Sequence, residues 1–245
     1  MNTEVPQRLQ KILAERGVGS RREIEAWIVA GQIFVNGKLA VLGTKATNAD
    51  QITLQGKLLP AKRSIATTKP RVILYHKPVG EICTRSDPQG RNTVFSSLPK
   101  LHGQRWISVG RLDINSSGLL LFTTDGDLAN KLMHPKANIE REYAVRILGT
   151  VSEEVQRKVT SGVTLSDGTQ AKFLTAKFVG GSGANSWYHV TLTQGRYREV
   201  RRIWESQGLR VSRLIRIRYG SLKLPRTLPE GKFVDIEYDI ALNMI

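Results

Sequence analysis

Residues 61 to 70, Ala-Lys-Arg-Ser-Ile-Ala-Thr-Thr-Lys-Pro, are polar, basic and without period, and they part the chain into two stretches of different character. A flexible run of this length spans about 15–20 Å end to end. The expected organisation is therefore a body at 1–60, a linker at 61–70 and a second body at 71–245, free to reorient on a shared partner. In the first stretch Leu9, Ile12 and Leu13 recur at helical spacing and Gly17 closes the segment. Ser20-Arg21-Arg22-Glu23 fits a capping box, so a second helix is expected with Ile24, Trp27 and Ile28 inward and Arg21, Arg22 and Glu25 outward. Ile33-Phe34-Val35 then runs into Asn36-Gly37, a strong hairpin turn signal, with Lys38 to Leu42 returning and Ile52 to Leu54 adding a strand.

After Pro70 strand-like runs dominate, at 72–75, 106–109, 119–123, 143–148, 172–179, 187–193, 211–218 and 233–238. Helical patterns occur only near 128–133, 153–161 and 199–207. Strands that outnumber helices without alternating with them predict an α+β domain on a mixed, mostly antiparallel sheet flanked by helices.

Composition narrows the partner. The chain carries 37 Lys and Arg against 21 Asp and Glu, a formal +16, with 40% hydrophobic residues, enough for a packed core. The excess is spread along the chain: +3 over residues 1–60 (8 basic, 5 acidic), +6 over 61–140 (12 and 6) and +7 over 141–245 (17 and 10). No run approaches the 18 apolar residues of a membrane span, and the basic residues are not gathered opposite Trp and Phe on an amphipathic helix, so a membrane partner is not expected. Nucleic acid is the stronger inference. The single Cys83 excludes a disulfide framework, and with four histidines there is no ligand set for structural zinc. A reducing, cytoplasmic setting follows, and the start MNTEVPQRLQ gives no secretory leader.

Several familiar signals fail. Gly17-Val18-Gly19 has Arg22 where a dinucleotide fingerprint needs its third glycine, and it follows a helix. His76, His102, His134 and His189 stand isolated. Gly180-Gly181-Ser182-Gly183 reads as a hairpin connection, and Asp125-Gly126-Asp127 as a turn capping the helix at Leu128.

Two constellations remain. In the first, a strand ends at Gly110, and Asp113 sits in a polar loop between two apolar strands, flanked by Arg111 and the Asn115-Ser116-Ser117-Gly118 turn; on these residues alone the turn aspartate is the favoured reading. The second is Gly195-Arg196-Tyr197-Arg198-Glu199-Val200-Arg201-Arg202, which with Arg210, Arg213, Arg216 and Arg218 puts eight arginines in 23 residues. Such clusters recognise phosphates through paired hydrogen bonds.

Gly110-Arg111-Leu112-Asp113 with its continuation to Gly126 resembles the signature of pseudouridine synthases of the RsuA type. Arg141-Glu142-Tyr143 and the run 195–202 resemble two later motifs of that family, in its order. The front stretch resembles the small αL-type RNA-binding domain shared with the fourth protein of the small ribosomal subunit. Tyr75-His-Lys-Pro-Val-Gly-Glu-Ile-Cys and Leu128-Ala-Asn-Lys-Leu-Met-His-Pro resemble the branch acting on large-subunit ribosomal RNA, with Glu199 where the wider family often carries Gln.

The resemblance implies an isomerase that breaks the C1′–N1 bond of a uridine and rejoins the base through C5, with no cofactor, metal or redox equivalent. It implies Asp113 as the carboxylate acting on ribose, Arg201 as the nearby cation keeping it ionised, and Tyr143 packed on the target base. The uridine must leave its stack to reach Asp113, and Arg111 is expected to fill the vacated space or hold the flipped nucleotide. Arg196, Arg198, Arg202, Arg213 and Arg216 are expected along the phosphate backbone, and Arg21, Arg22, Asn36 and Lys38 on a neighbouring stem. The expected partner is a stem-loop of large-subunit ribosomal RNA, free or in a pre-ribosomal particle, met by a monomer whose basic surface resists self-association. A non-catalytic RNA-binding assembly factor is the competing reading.

Overall fold

Ser20 and Glu23 start the second helix through reciprocal bonds: the Glu23 amide donates to Ser20 Oγ (3.2 Å) and the Ser20 amide to the Glu23 carboxylate (2.7 Å). In the computed structural model, which describes residues 5–60, 70–101, 104–182 and 184–245, that helix (α2, Arg21–Val29) follows α1 (Leu9–Glu15). The expected linker lies outside the described residues except for Pro70, as do His102 and Gly183. Asn36-Gly37 turns β1 (Ile33–Val35) into β2 (Lys38–Leu39), and β3 (Ile52–Leu54) and β4 (Lys57–Leu58) complete a four-stranded sheet ordered β2-β1-β3-β4. Leu9, Ile12, Leu13, Ile24, Ile28, Ile33 and Ile52 make its core, with Trp27 packed against them.

The described residues form two compact units, one taking Met1–Pro70 with Lys100–Trp106, the other Arg71–Pro99 with Ile107–Ile245. Arg105, read from sequence as part of the second body, donates from Nη1 to the Gly19 carbonyl (2.5 Å) within the first unit.

The second unit is built on β5 (Val72–Lys77), β6 (Ile107–Val109), β7 (Ser117–Thr123), β8 (Arg141–Leu148), β9 (Thr175–Ser182), β10 (Asn185–Leu192), β11 (Arg210–Tyr219), β12 (Leu222–Lys223) and β13 (Phe233–Ile236). They form one nine-stranded sheet in the order β9-β10-β8-β11-β7-β5-β13, with β12 on β11 and β6 on β7. The β11–β7 pairing is parallel and the others are antiparallel, the mixed, mostly antiparallel sheet expected. Helices α3 (Gly126–Met133), α4 (Glu153–Ser161), α5 (Glu199–Glu205) and α6 (Tyr238–Leu242) flank it. The Asp125 carboxylate accepts the Asp127 and Leu128 amides at the start of α3, the capping turn read from sequence. Gly180 and Gly181 lie in the β9–β10 hairpin, where Gly181 passes so close to Asn185 that a Cβ would fall 2.2 Å from its carbonyl oxygen. The strand expected through Tyr238 stops at Ile236, because Tyr238 opens α6 and donates its hydroxyl to Asp125 (2.6 Å).

Two apolar layers hold the sheet. Leu119 and Leu121 of β7 cluster with Leu128 and Leu132 of α3, Tyr219 and Ala241. On α5, Trp204 lies against Phe173 and Tyr188, ring centroids 5.5 and 5.4 Å apart.

Candidate active site

The loop between β6 and β7 carries Asp113. Gly110, with φ of 78°, turns the chain out of β6, and the Ser116 amide closes a turn on the Asp113 carbonyl (3.0 Å). The following carbonyls are held one by one from other elements. The Gly80 amide donates to Ile114 O (2.8 Å), Arg201 Nη2 to Asn115 O (2.9 Å), Lys77 Nζ to Ser116 O (2.8 Å) and Arg216 Nε to Leu119 O (2.7 Å). Ahead of Asp113, the Cys83 thiol donates to Leu112 O (3.3 Å) and accepts the Leu112 amide (3.4 Å). Burial pushes that thiol's pKa up, which keeps the proton needed for this bond.

The three cations are buried: Lys77 is 0% exposed, Arg216 3% and Arg201 6%. Each hydrogen-bonds to neutral carbonyls: Lys77 also to Pro78 O (2.9 Å), Arg201 also to Val211 O (2.9 Å). Their charges are therefore not cancelled by a carboxylate in contact. Burial lowers the basicity of Lys77 and of Arg201, and the nearby Asp113 charge pulls both back up. The Asp113 carboxylate itself has no hydrogen-bond or ion-pair partner among the described residues.

Asp113 faces a cleft of about 1350 Å³ that Arg111, Tyr143, Arg141, Arg216 and Tyr219 also line. Tyr143 stands on β8 opposite Arg216 of β11 and is 7% exposed. Arg141 donates to Ile139 O (3.1 Å), Thr193 O and the Tyr219 hydroxyl (3.2 Å), with its guanidinium over the Tyr219 ring, so the cleft wall is braced before anything binds.

Several expected positions change. Arg201 does not contact Asp113: no ion pair joins them among the described residues, and its two Nη atoms donate instead to the Asn115 and Val211 carbonyls. Arg216 is not on an outer phosphate track. It is buried at the cleft wall, with Nη2 lacking a partner among the described residues. Arg202 does not line the cleft, and its guanidinium pairs with Asp167 (2.6 Å). Arg196 and Arg198 do line it, although Arg196 Nη1 donates to Gln170 O (2.9 Å) and Arg198 reaches Glu205 (3.5 Å). Arg213 is exposed on β11. In the first unit Arg21, Arg22 and Lys38 are exposed, while Asn36 ties both ends of its amide to Asp50 and the Gln51 amide, serving its own turn.

Sequence reasoning passed over Lys77 and Arg141. The available signal was a lysine closing the apolar run Val72–Tyr75 directly before a proline, a place where a surface lysine would not be expected.

A family model described as RNA pseudouridylate synthase matches residues 71–206, and one described as S4 domain matches residues 7–52. The chain belongs to the RNA pseudouridylate synthase family. It is thus an isomerase that converts uridine to pseudouridine in RNA. It is 56% identical to a Salmonella typhi protein named ribosomal large subunit pseudouridine synthase B, over 95% of this chain and 80% of the relative. An Escherichia coli K12 protein of the same name is 55% identical over 94% and 79%. A crystal structure described as pseudouridylate synthase superposes with a TM-score of 0.67 at 24% identity, covering 97% of this chain and 99% of the other, and so shares the fold. In this synthase no helix of the described residues is long and apolar enough to cross a membrane.

Proposed function

We propose that the synthase isomerises a uridine in a stem-loop of large-subunit ribosomal RNA, with Asp113 acting as nucleophile at ribose C1′. The observation that carries the assignment is the Asp113 loop: one unpartnered carboxylate at the cleft, on a backbone fixed by three buried cations whose charge remains uncancelled. A carboxylate already paired to an arginine would have to break that pair to attack. Here the Asp113 oxygens are unoccupied among the described residues, so attack breaks no existing pair.

Attack at C1′ expels the uracil from N1 as an anion. The base turns, C5 bonds to C1′ as the carboxylate departs, and transfer of the C5 proton away and of a proton onto N1 completes an isomerisation with no net reagent. Tyr143 packs on the target base and serves proton movement in the rearrangement. Arg111, exposed at the cleft, takes the space left by the flipped nucleotide, which costs a few kcal/mol to unstack. Arg216 contributes its spare Nη2 to the nucleotide inside the cleft. Residues 1–60 dock a neighbouring stem through Arg21, Arg22 and Lys38, and 71–245 carry the chemistry, in a cytoplasmic monomer. The printed names of the relatives support the ribosomal substrate.

Asp113→Asn keeps the shape of the side chain and removes its nucleophilicity. It is expected to abolish pseudouridine, read by carbodiimide mapping of large-subunit ribosomal RNA from cells carrying only the variant, while RNA affinity and melting temperature stay unchanged. Turnover near wild type would overturn the assignment. Mapping in cells lacking the protein names the uridine.

A further inference from the structure

Among the described residues Tyr197 is the most exposed aromatic side chain, at 74%, and it lines the same cleft as Asp113. Its loop is built to hold it there. The Arg196 amide donates to the Glu199 carboxylate (3.0 Å) and the Glu199 amide returns to Arg196 O (3.2 Å). Arg198 takes the left-handed conformation at φ 49°, and each flanking guanidinium is tethered, Arg196 to the Gln170 carbonyl and Arg198 to Glu205. The phenol between them stacks on no other ring and makes no hydrogen bond among the described residues. A ring left in water gains nothing from burial, so packing does not account for a tyrosine at this place.

We propose that Tyr197 is a stacking platform for an unpaired nucleobase adjacent to the uridine drawn into the cleft. This subsite rests on the function proposed above. Tyr143 is buried within the cleft and suits the target base, whereas the exposed rim suits a neighbour that stays outside. Aromatic faces accept any base, and the Arg196 guanidinium, bound to a carbonyl and to no carboxylate among the described residues, matches a phosphate flanking a stacked nucleotide. The platform thus selects a local RNA shape, an unstacked base next to the target.

The test uses the full chain and an RNA stem-loop carrying the mapped uridine, with a set of the same RNA bearing one abasic nucleotide at each flanking position. Tyr197→Ala is expected to raise the half-saturating RNA concentration roughly 5- to 150-fold with little change in maximal rate, and Tyr197→Phe to stay near wild type. One abasic RNA should cost the wild type a similar factor and cancel the penalty of Tyr197→Ala. Unchanged saturation in Tyr197→Ala, a Phe variant as weak as the Ala variant, or a penalty that persists on every abasic RNA would overturn the subsite. Absence of conversion by the wild type would overturn the function reading instead, which separates the two failures.

Discussion

Cations are used in opposite ways in two regions of the catalytic unit. Around Asp113, Lys77, Arg201 and Arg216 are buried and bind backbone carbonyls. Elsewhere in the unit, Arg202 pairs with Asp167, Arg198 with Glu205 and Arg91 with Asp87. There the arginine bonds hold the carboxylates down: Arg91 lowers the Asp87 pKa to about 2, and Arg202 depresses Asp167 further. Such a pair is nearly neutral as a unit. An inner cation bound to a carbonyl keeps its whole charge in a low-dielectric place, where it acts on the nearby Asp113 carboxylate and on whatever charge develops during reaction. The total of +16 is therefore a poor guide to where charge matters.

The comparison can be broken most severely at Gly118, where β7 meets β11. At φ 108° an added Cβ would lie 2.3 Å from the Arg216 carbonyl oxygen and 2.6 Å from its amide nitrogen. Gly118→Ala is expected to cost about 3–5 kcal/mol in urea unfolding and to displace Arg216 with it. Lys77→Met probes the inner set directly. Two carbonyls lose their donor, and about 2–3 kcal/mol of stability should go, with a fall in turnover larger than any change in RNA affinity. Equal losses of turnover and affinity would argue against a positioning role.

Smaller effects belong to the periphery. The hydrogen bond to Asp125 comes first in raising the Tyr238 pKa from 10.0 to about 12. Because the folded value is the higher one, its contribution is complete below pH 10 and is lost as pH rises through 12. Tyr238→Phe should cost about 1 kcal/mol at neutral pH and flatten stability between pH 10 and 12. Arg202→Ala should move the melting temperature by less than about 2 °C, since an ion pair whose carboxylate stands in solvent contributes little.

Legibility in the sequence followed the range of the interaction. The Ser20–Glu23 box, the Asn36-Gly37 turn and the Asp125 cap each join residues at most three apart, and each formed as read. The strands of the mixed sheet were legible from apolar runs. Arg201 and Arg216 were not legible as buried groups, because their partners are main-chain carbonyls 86 and 97 residues away, which have no side-chain signature. A cluster of arginines reads as surface by default. Resemblance supplied Asp113, Tyr143 and Arg201, but it did not indicate that Arg201 grips the loop two residues past the carboxylate instead of the carboxylate itself. Lys77 stood inside the run Tyr75-His-Lys-Pro with no sequence neighbour that marks it as buried.

The reach of those contacts fixes an order of events during synthesis. Residues 5–60 contain partners for their own helices and sheet and can fold once they leave the ribosome. The Asp113 loop stays without its last supports until Arg216 has emerged and β11 has slotted in beside β7, a pairing that spans about a hundred residues. In a growing chain the front fold is thus in place long before the loop that carries Asp113 is held.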